Sequence, residues 1–190
     1  MVCVTLAMRW STAAIACAVP SVSDVERRFR RESIECSAWM RSHAARIQAG
    51  DTLLDVACGR GRHARYFAER GARVTAVDRD AEALTALADV ANVLTEARDL
   101  EGAPWPYAAA SFDAVLVCNY LWRPALSDLL DTVRPGGVLL YETFMVGNEV
   151  YGKPSRPDFL LRPNELITSV ALDFEVVEFR QGLQRDGTHP

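Results

Sequence analysis

The apolar positions of this chain change rhythm at Gly50. Between Ser23 and Gln48, the residues Val25, Phe29, Cys36, Met40, His43 and Ile47 recur at helical spacing and predict one amphipathic helix. Ser23 and Glu26 fit a capping box at its start, and Gly50 stops it. Beyond Gly50, short apolar runs bounded by glycine alternate with amphipathic ones. Strands are predicted at 52–58, 73–77, 92–97, 112–118 and 138–144, and helices at 62–70, 80–90 and 126–133. This alternation implies parallel strands covered on both faces, a doubly wound α/β sheet. Right-handed crossovers then place a ligand beyond the carboxyl ends of the strands, where the strand order reverses. The segment 147–162 reads as a loop over that end, Pro163 opens a helix, and 173–180 alternates as a last strand.

Residues 1–22 fit none of this grammar. They are apolar around Arg9 and run through Ala16-Cys17-Ala18. A secretory leader has its basic residues first, and here apolar residues precede the arginine as well as follow it. We read 1–22 as a loosely ordered extension ahead of one domain, 23–190, whose leading helix, 23–49, caps the pocket. The length of 190 residues suits a single domain with a sizeable core. A net charge of -4 gives no electrostatic reason to bind nucleic acid or an anionic membrane, and no apolar run reaches the roughly 20 residues of a membrane-spanning helix. Five cysteines, an odd number with no C-x-x-C, argue against a disulfide framework or a zinc knuckle and suit the cytoplasm.

Candidate chemistry gathers at strand ends. Asp55-Val56-Ala57-Cys58-Gly59-Arg60-Gly61 joins the first predicted strand of the sheet to its helix. Glycines there allow a tight turn and close approach of a ligand. A dinucleotide site places a diphosphate at such a helix start, and the Asp55 carboxylate would repel it. Asp55 favours a ligand with a cationic group, such as an amino-acid ammonium. Asp78 ends the next strand and can accept two hydrogen bonds from a ribose diol. Asp99-Leu100 follows the third strand, where an acid can bond an adenine amino group and an apolar side chain can pack on the ring.

These residues resemble the class I S-adenosylmethionine-dependent methyltransferases. The likeness rests on Leu54–Gly61, Ala76-Val77-Asp78, Phe112-Asp113-Ala114-Val115 and Arg134–Leu139, and extends over about 50 to 180. Within that superfamily the chain is similar to the small bacterial tellurite-resistance type. The resemblance implies S-adenosylmethionine as cofactor and methyl transfer to a small-molecule acceptor, yielding S-adenosylhomocysteine. It implies that Asp55, Ala57, Gly59 and Gly61 surround the methionine part, that Asp78 holds the ribose and Arg79 flanks the adenine, that Asp99 and Leu100 meet the adenine, and that Cys118 and Asn119 lie near the methyl donor. Glu142, ending the fifth strand, is the best placed base.

Two departures stand out. Ala57 occupies a position where many members have glycine, a mild change if the backbone there is not left-handed. The chain also ends near the turn before the family's final antiparallel strand, which is expected to be absent, replaced or supplied by a partner. An open sheet edge invites pairing with a second copy. That edge favours one alternative, a cofactor-binding protein without transferase activity. A further alternative is an NAD-dependent oxidoreductase on a related sheet, which Asp55 disfavours. Arg123, Arg156 and Arg162 are candidates to bind a small anion. Trp105, Tyr107, Tyr120 and Trp122 either wall a pocket or pack the sheet edge. Cys58 and Cys118 read as small apolar residues rather than a metalloid pair, and no metal site is expected. His43 either touches the ligand or packs against the backbone.

Overall fold

The computed structural model describes residues 2–9, 35–170 and 173–183. Seven strands form one sheet: β1 (Val2–Arg9), β2 (Thr52–Val56), β3 (Arg73–Asp78), β4 (Val93–Ala97), β5 (Phe112–Cys118), β6 (Val133–Phe144) and β7 (Glu175–Leu183). Their order is β4-β3-β2-β5-β6-β1-β7. The five strands β4, β3, β2, β5 and β6 are mutually parallel and reproduce the predicted doubly wound frame. The described α-helices are α1 (Ala38–Ser42), α2 (Arg62–Glu69), α3 (Ala81–Leu84), α4 (Leu126–Asp131) and α5 (Glu165–Val170), with short 3-10 turns between elements.

Alternation along the strands divides the core into two layers. Leu54, Val56, Val115, Val117 and Leu139 share one layer with Leu129, Leu130, Leu166 and Val170 of α4 and α5. Leu53, Val74, Leu116 and Leu140 share the other with Trp39, Met40, Ala64 and Phe67 of α1 and α2. Both faces of the parallel strands are covered, as an all-parallel arrangement requires.

Within the expected extension 1–22, residues 2–9 are described and are ordered, while 10–22 lie outside the described residues. Residues 2–9 are a strand inserted antiparallel between β6 and β7, with Cys3 opposite Phe144, Arg9 opposite Val138, and Thr5 opposite both Glu142 and Arg180. Ala7 is fully buried and Thr5 nearly so. The place of the family's final antiparallel strand is therefore taken by the first strand of the described chain. The physical reason is that β6 and β7 each need a hydrogen-bonding partner on their facing edges, and β1 serves both.

The leading helix is also different. Residues 10–34, which hold the predicted capping box, lie outside the described residues. From 35 onward the helix is not continuous. Ser37 is extended (φ -60°, ψ 151°) and its hydroxyl accepts the Met40 N–H, starting a new five-residue helix. The predicted inward residues Cys36, Met40, His43 and Ile47 are nevertheless all buried. Helix 80–90 shortens to Ala81–Leu84 followed by a 3-10 turn at Thr85–Leu87. The strand predicted at 138–144 begins at Val133 instead, running through Pro135-Gly136-Gly137. Gly137 lies so close to the Asp113 and Arg134 carbonyl oxygens that a β-carbon would sit 2.7 and 2.8 Å from them. The Asp113 carboxylate, in turn, accepts the Thr52 N–H at 2.8 Å and pairs with Arg134. These two family motifs pin the amino ends of β2, β5 and β6, opposite the site.

If β1 is a buried strand, Ala7→Asp places a carboxylate in the core without a partner. We expect a loss on the order of 3 kcal/mol in denaturant unfolding. An unchanged midpoint would return 2–9 to a loose extension.

Candidate cofactor and active site

The strand order reverses between β2 and β5, and the predicted residues collect at the carboxyl ends flanking that point. The turn after β2 is tightly constrained. Gly61 has φ 71° and precedes α2; the left-handed backbone favours glycine, and a β-carbon there would also run into the buried Leu87 side chain. Gly59 has φ 55°, and nothing lies within 4 Å of where its β-carbon would be, which leaves its outer face open to a ligand. Ala57 has φ 52°. The backbone at Ala57 is therefore left-handed, and replacement of glycine there is a strained substitution, not a mild one.

Asp78 locks this turn to β3. Its Oδ2 accepts the Gly59 N–H at 2.7 Å and its Oδ1 accepts the Asp80 N–H at 2.9 Å. An ionised carboxylate has about four acceptor sites, so each oxygen keeps one for another donor. Asp55 is more enclosed than its sequence position suggests, at 1% exposure. Its Oδ2 accepts the Ala64 N–H at 2.9 Å, within the first turns of α2, and its Oδ1 has no partner. Burial pushes the Asp55 carboxyl up from 3.8 to about 7; the Ala64 N–H and Arg62 oppose that rise, and Asp78 adds to it.

Near β4, Asp99 is exposed and accepts the Glu101 N–H at 2.9 Å. Leu100 is buried in the core layer, and Arg79 is exposed. Tyr120 carries a buried hydroxyl without a partner, and burial first, then Glu101 and Asp99, hold that phenol well above its ordinary value. Beyond β5 and β6 a second polar group assembles. Ser37 Oγ donates to Glu142 Oε2 at 2.6 Å, Cys118 Sγ lies 4.0 Å from the same oxygen, and Arg62 Nη2 donates to Cys118 Sγ at 3.3 Å. Asn119, exposed with φ 58°, donates its N–H to the Glu142 carbonyl at 2.8 Å. Burial raises the thiols of Cys36 (to about 12), Cys58 and Cys118, so all three are neutral.

Other sequence candidates have different work. Arg123 holds Glu165 through Nε at 2.5 Å and Nη2 at 2.9 Å, and donates to the Asp158 and Leu160 carbonyls. It clamps the loop after β6 rather than waiting for an anion. Arg156 pairs with Asp158, and Arg162 is exposed. Trp105 and Tyr107 pack the sheet: the indole donates to Thr132 Oγ1 at 2.8 Å, the phenol to Glu96 Oε2 at 3.0 Å, and both rings form edge contacts continuing to Phe112. Trp122 is partly buried just before the turn that holds Arg123. His43 stacks edge-on to Trp39 and lies 3.3 Å from Glu178. Ser37 and Arg62 were missed in the sequence. Ser37 has the signature of a helix N-cap, and Arg62 follows the glycine turn directly.

Fold and site place the strand-end acids Asp55 and Asp78 around an open glycine turn. Residues 53–137 match the model of a methyltransferase domain family. The malonyl-[acyl-carrier protein] O-methyltransferase of Serratia marcescens is 38% identical over 108 residues, 52% of this chain and 40% of that protein. The ribosomal protein L11 methyltransferase of Thiobacillus denitrificans is 40% identical over 109 residues, 55% of this chain and 35% of that protein. The chain thus spans less than half the length of both relatives. The crystal structure of a SAM dependent methyltransferase from Archaeoglobus fulgidus superimposes with a TM-score of 0.56 at 17% identity, over 77% of this chain and 72% of that one. Over residues 53–137 the chain is thus similar to a methyltransferase domain, and its parallel sheet has the fold of S-adenosylmethionine-dependent methyltransferases.

Two substitutions test this geometry. Ala57→Gly relieves the left-handed strain and should raise stability by about 1 kcal/mol in denaturant unfolding; a loss would mean that the turn gains from its methyl group. The second concerns Asp55, whose folded value lies above its unfolded one. Its stabilising contribution is complete below about pH 4 and is lost as pH rises through about 7. Buried His63, lowered to about 3 by burial and then by Arg62, acts with the opposite sign, so the parent must be compared with Asp55→Asn. We expect parent stability to fall relative to the variant by up to about 4 kcal/mol between pH 4 and pH 7. Parallel stability curves would contradict the burial argument.

Proposed function

We propose that this chain transfers the methyl group of S-adenosylmethionine to an oxygen of a small-molecule acceptor. The observation that carries the reading is the bond between Asp78 and the Gly59 N–H. It makes the glycine turn and the strand-end acid one rigid unit, and leaves one acceptor site on each Asp78 oxygen for a ribose diol. Asp55 favours an ammonium beside the turn. Asp99, Tyr120 and Arg79 lie where an adenine would follow.

The residues fit the cofactor by their chemistry. An open glycine face, an unpartnered buried carboxylate oxygen and a half-used carboxylate are what a ligand with an ammonium and a diol needs. When bound, S-adenosylmethionine supplies an activated sulfonium methyl group. The protein's task is orientation, which contributes several kcal/mol when the reacting atoms are held about 3–3.5 Å apart. Glu142, fixed by Ser37 at the ends of β5 and β6, takes the proton from a hydroxyl acceptor; a carboxylate acceptor needs no base. Support for an acyl carboxylate comes from the name of the Serratia relative. The Thiobacillus relative acts on a different acceptor, so what the matched segments share is the cofactor half.

Asp78→Ala should weaken S-adenosylhomocysteine binding at least tenfold by calorimetry, about 1.4 kcal/mol. An unchanged dissociation constant would remove the central support of the reading.

A further inference from the structure

Asp55 is at odds with its surroundings in either protonation state. It is 1% exposed, with one hydrogen bond from Ala64 N–H and one oxygen that has no partner. The charged groups that act on it are Arg62 from α2 and Asp78 from β3, one cation and one anion. The thiols of Cys36 ahead of α1, Cys58 in the turn and Cys118 at the end of β5 also sense its charge, and all three are neutral. An ionised Asp55 therefore sits out of water with no close net countercharge. A protonated Asp55 carries an O–H with no acceptor. Both arrangements are costly in an interior. Among the described residues, no cation besides Arg62 acts on it.

Resting on the cofactor reading above, we propose that Asp55 holds a proton in the empty site and gives it up to solvent when a ligand ammonium is seated beside the glycine turn. The Asp55 O–H bond breaks, its electron pair stays on the carboxylate, the proton passes to buffer, and the ammonium is unchanged. Binding and proton release are then a single linked event. The ligand-bound state carries fewer protons than the empty one, so affinity rises with pH, by up to tenfold per unit, and levels off above about pH 7, where the empty site has lost its proton unaided. An adenosine-type ligand without an ammonium has no such dependence.

The test is calorimetric titration of the full chain with S-adenosylhomocysteine at pH 6.5, in PIPES and in imidazole, whose ionisation enthalpies differ. The expected result is release of roughly 0.7 proton per ligand bound. Adenosine under the same conditions should release none. Asp55→Asn, which keeps an oxygen for the Ala64 N–H, should bind S-adenosylhomocysteine without proton release. Equal heats in the two buffers, equal release by adenosine, or undiminished release by Asp55→Asn would each overturn the proposal while S-adenosylhomocysteine still binds. The adenosine comparison decides the matter if the variant does not fold. Failure of S-adenosylhomocysteine to bind at all would instead overturn the cofactor reading, and this proposal with it.

Discussion

The site depends on a single hydrogen bond, the one from Gly59 N–H to Asp78 Oδ2 at 2.7 Å. It joins the turn after β2 to the end of β3. Two neighbours make it rigid: Cys58 N–H donates to the Val77 carbonyl at 3.0 Å, and Arg98 N–H to the Asp78 carbonyl at 2.9 Å. Three successive strand ends are thereby held in one register. A carboxylate held by two backbone N–H groups cannot swing away. Position is therefore set before any ligand arrives, which reduces the ordering cost of binding.

The second feature is how the sheet is completed. The family frame asks for an antiparallel strand beside β6, and β1 fills that place from the start of the chain. This brings Thr5 opposite Glu142, the residue proposed above as base, so that part of the sheet is built with residues that precede the parallel strands. The proposed acceptor side thus draws on sequence far apart, whereas the proposed cofactor residues run nearly contiguously from Asp55 to Leu100.

That difference explains what could be read from the residues alone. The parallel strands and the acids at their ends declare themselves locally: apolar runs, glycine turns and an aspartate closing β3 all fall within a few positions of one another. Strand β1 has no local sign. Its partners, Val138–Phe144 and Glu175–Leu183, are distant in sequence, and an apolar stretch interrupted by Arg9 looks the same whether it is paired or loose. The left-handed backbone at Ala57 was hidden because alanine does not announce φ 52° as glycine would. Of the helix expected over 23–48, the described part keeps Cys36, Met40, His43 and Ile47 buried, and its helix begins where Ser37 offers its hydroxyl to Met40 N–H. Trp105 and Tyr107 could be settled only by their hydrogen-bond partners, Thr132 and Glu96, and Arg123 only by its clamp on Glu165.

The account stands on a ligand preference set by carboxylates. The most direct measurement is thermal unfolding of the full chain with increasing S-adenosylhomocysteine or increasing NAD at matched concentrations. We predict a midpoint that climbs with S-adenosylhomocysteine as mass action requires and stays level with NAD. A midpoint that climbs with NAD and ignores S-adenosylhomocysteine would contradict it.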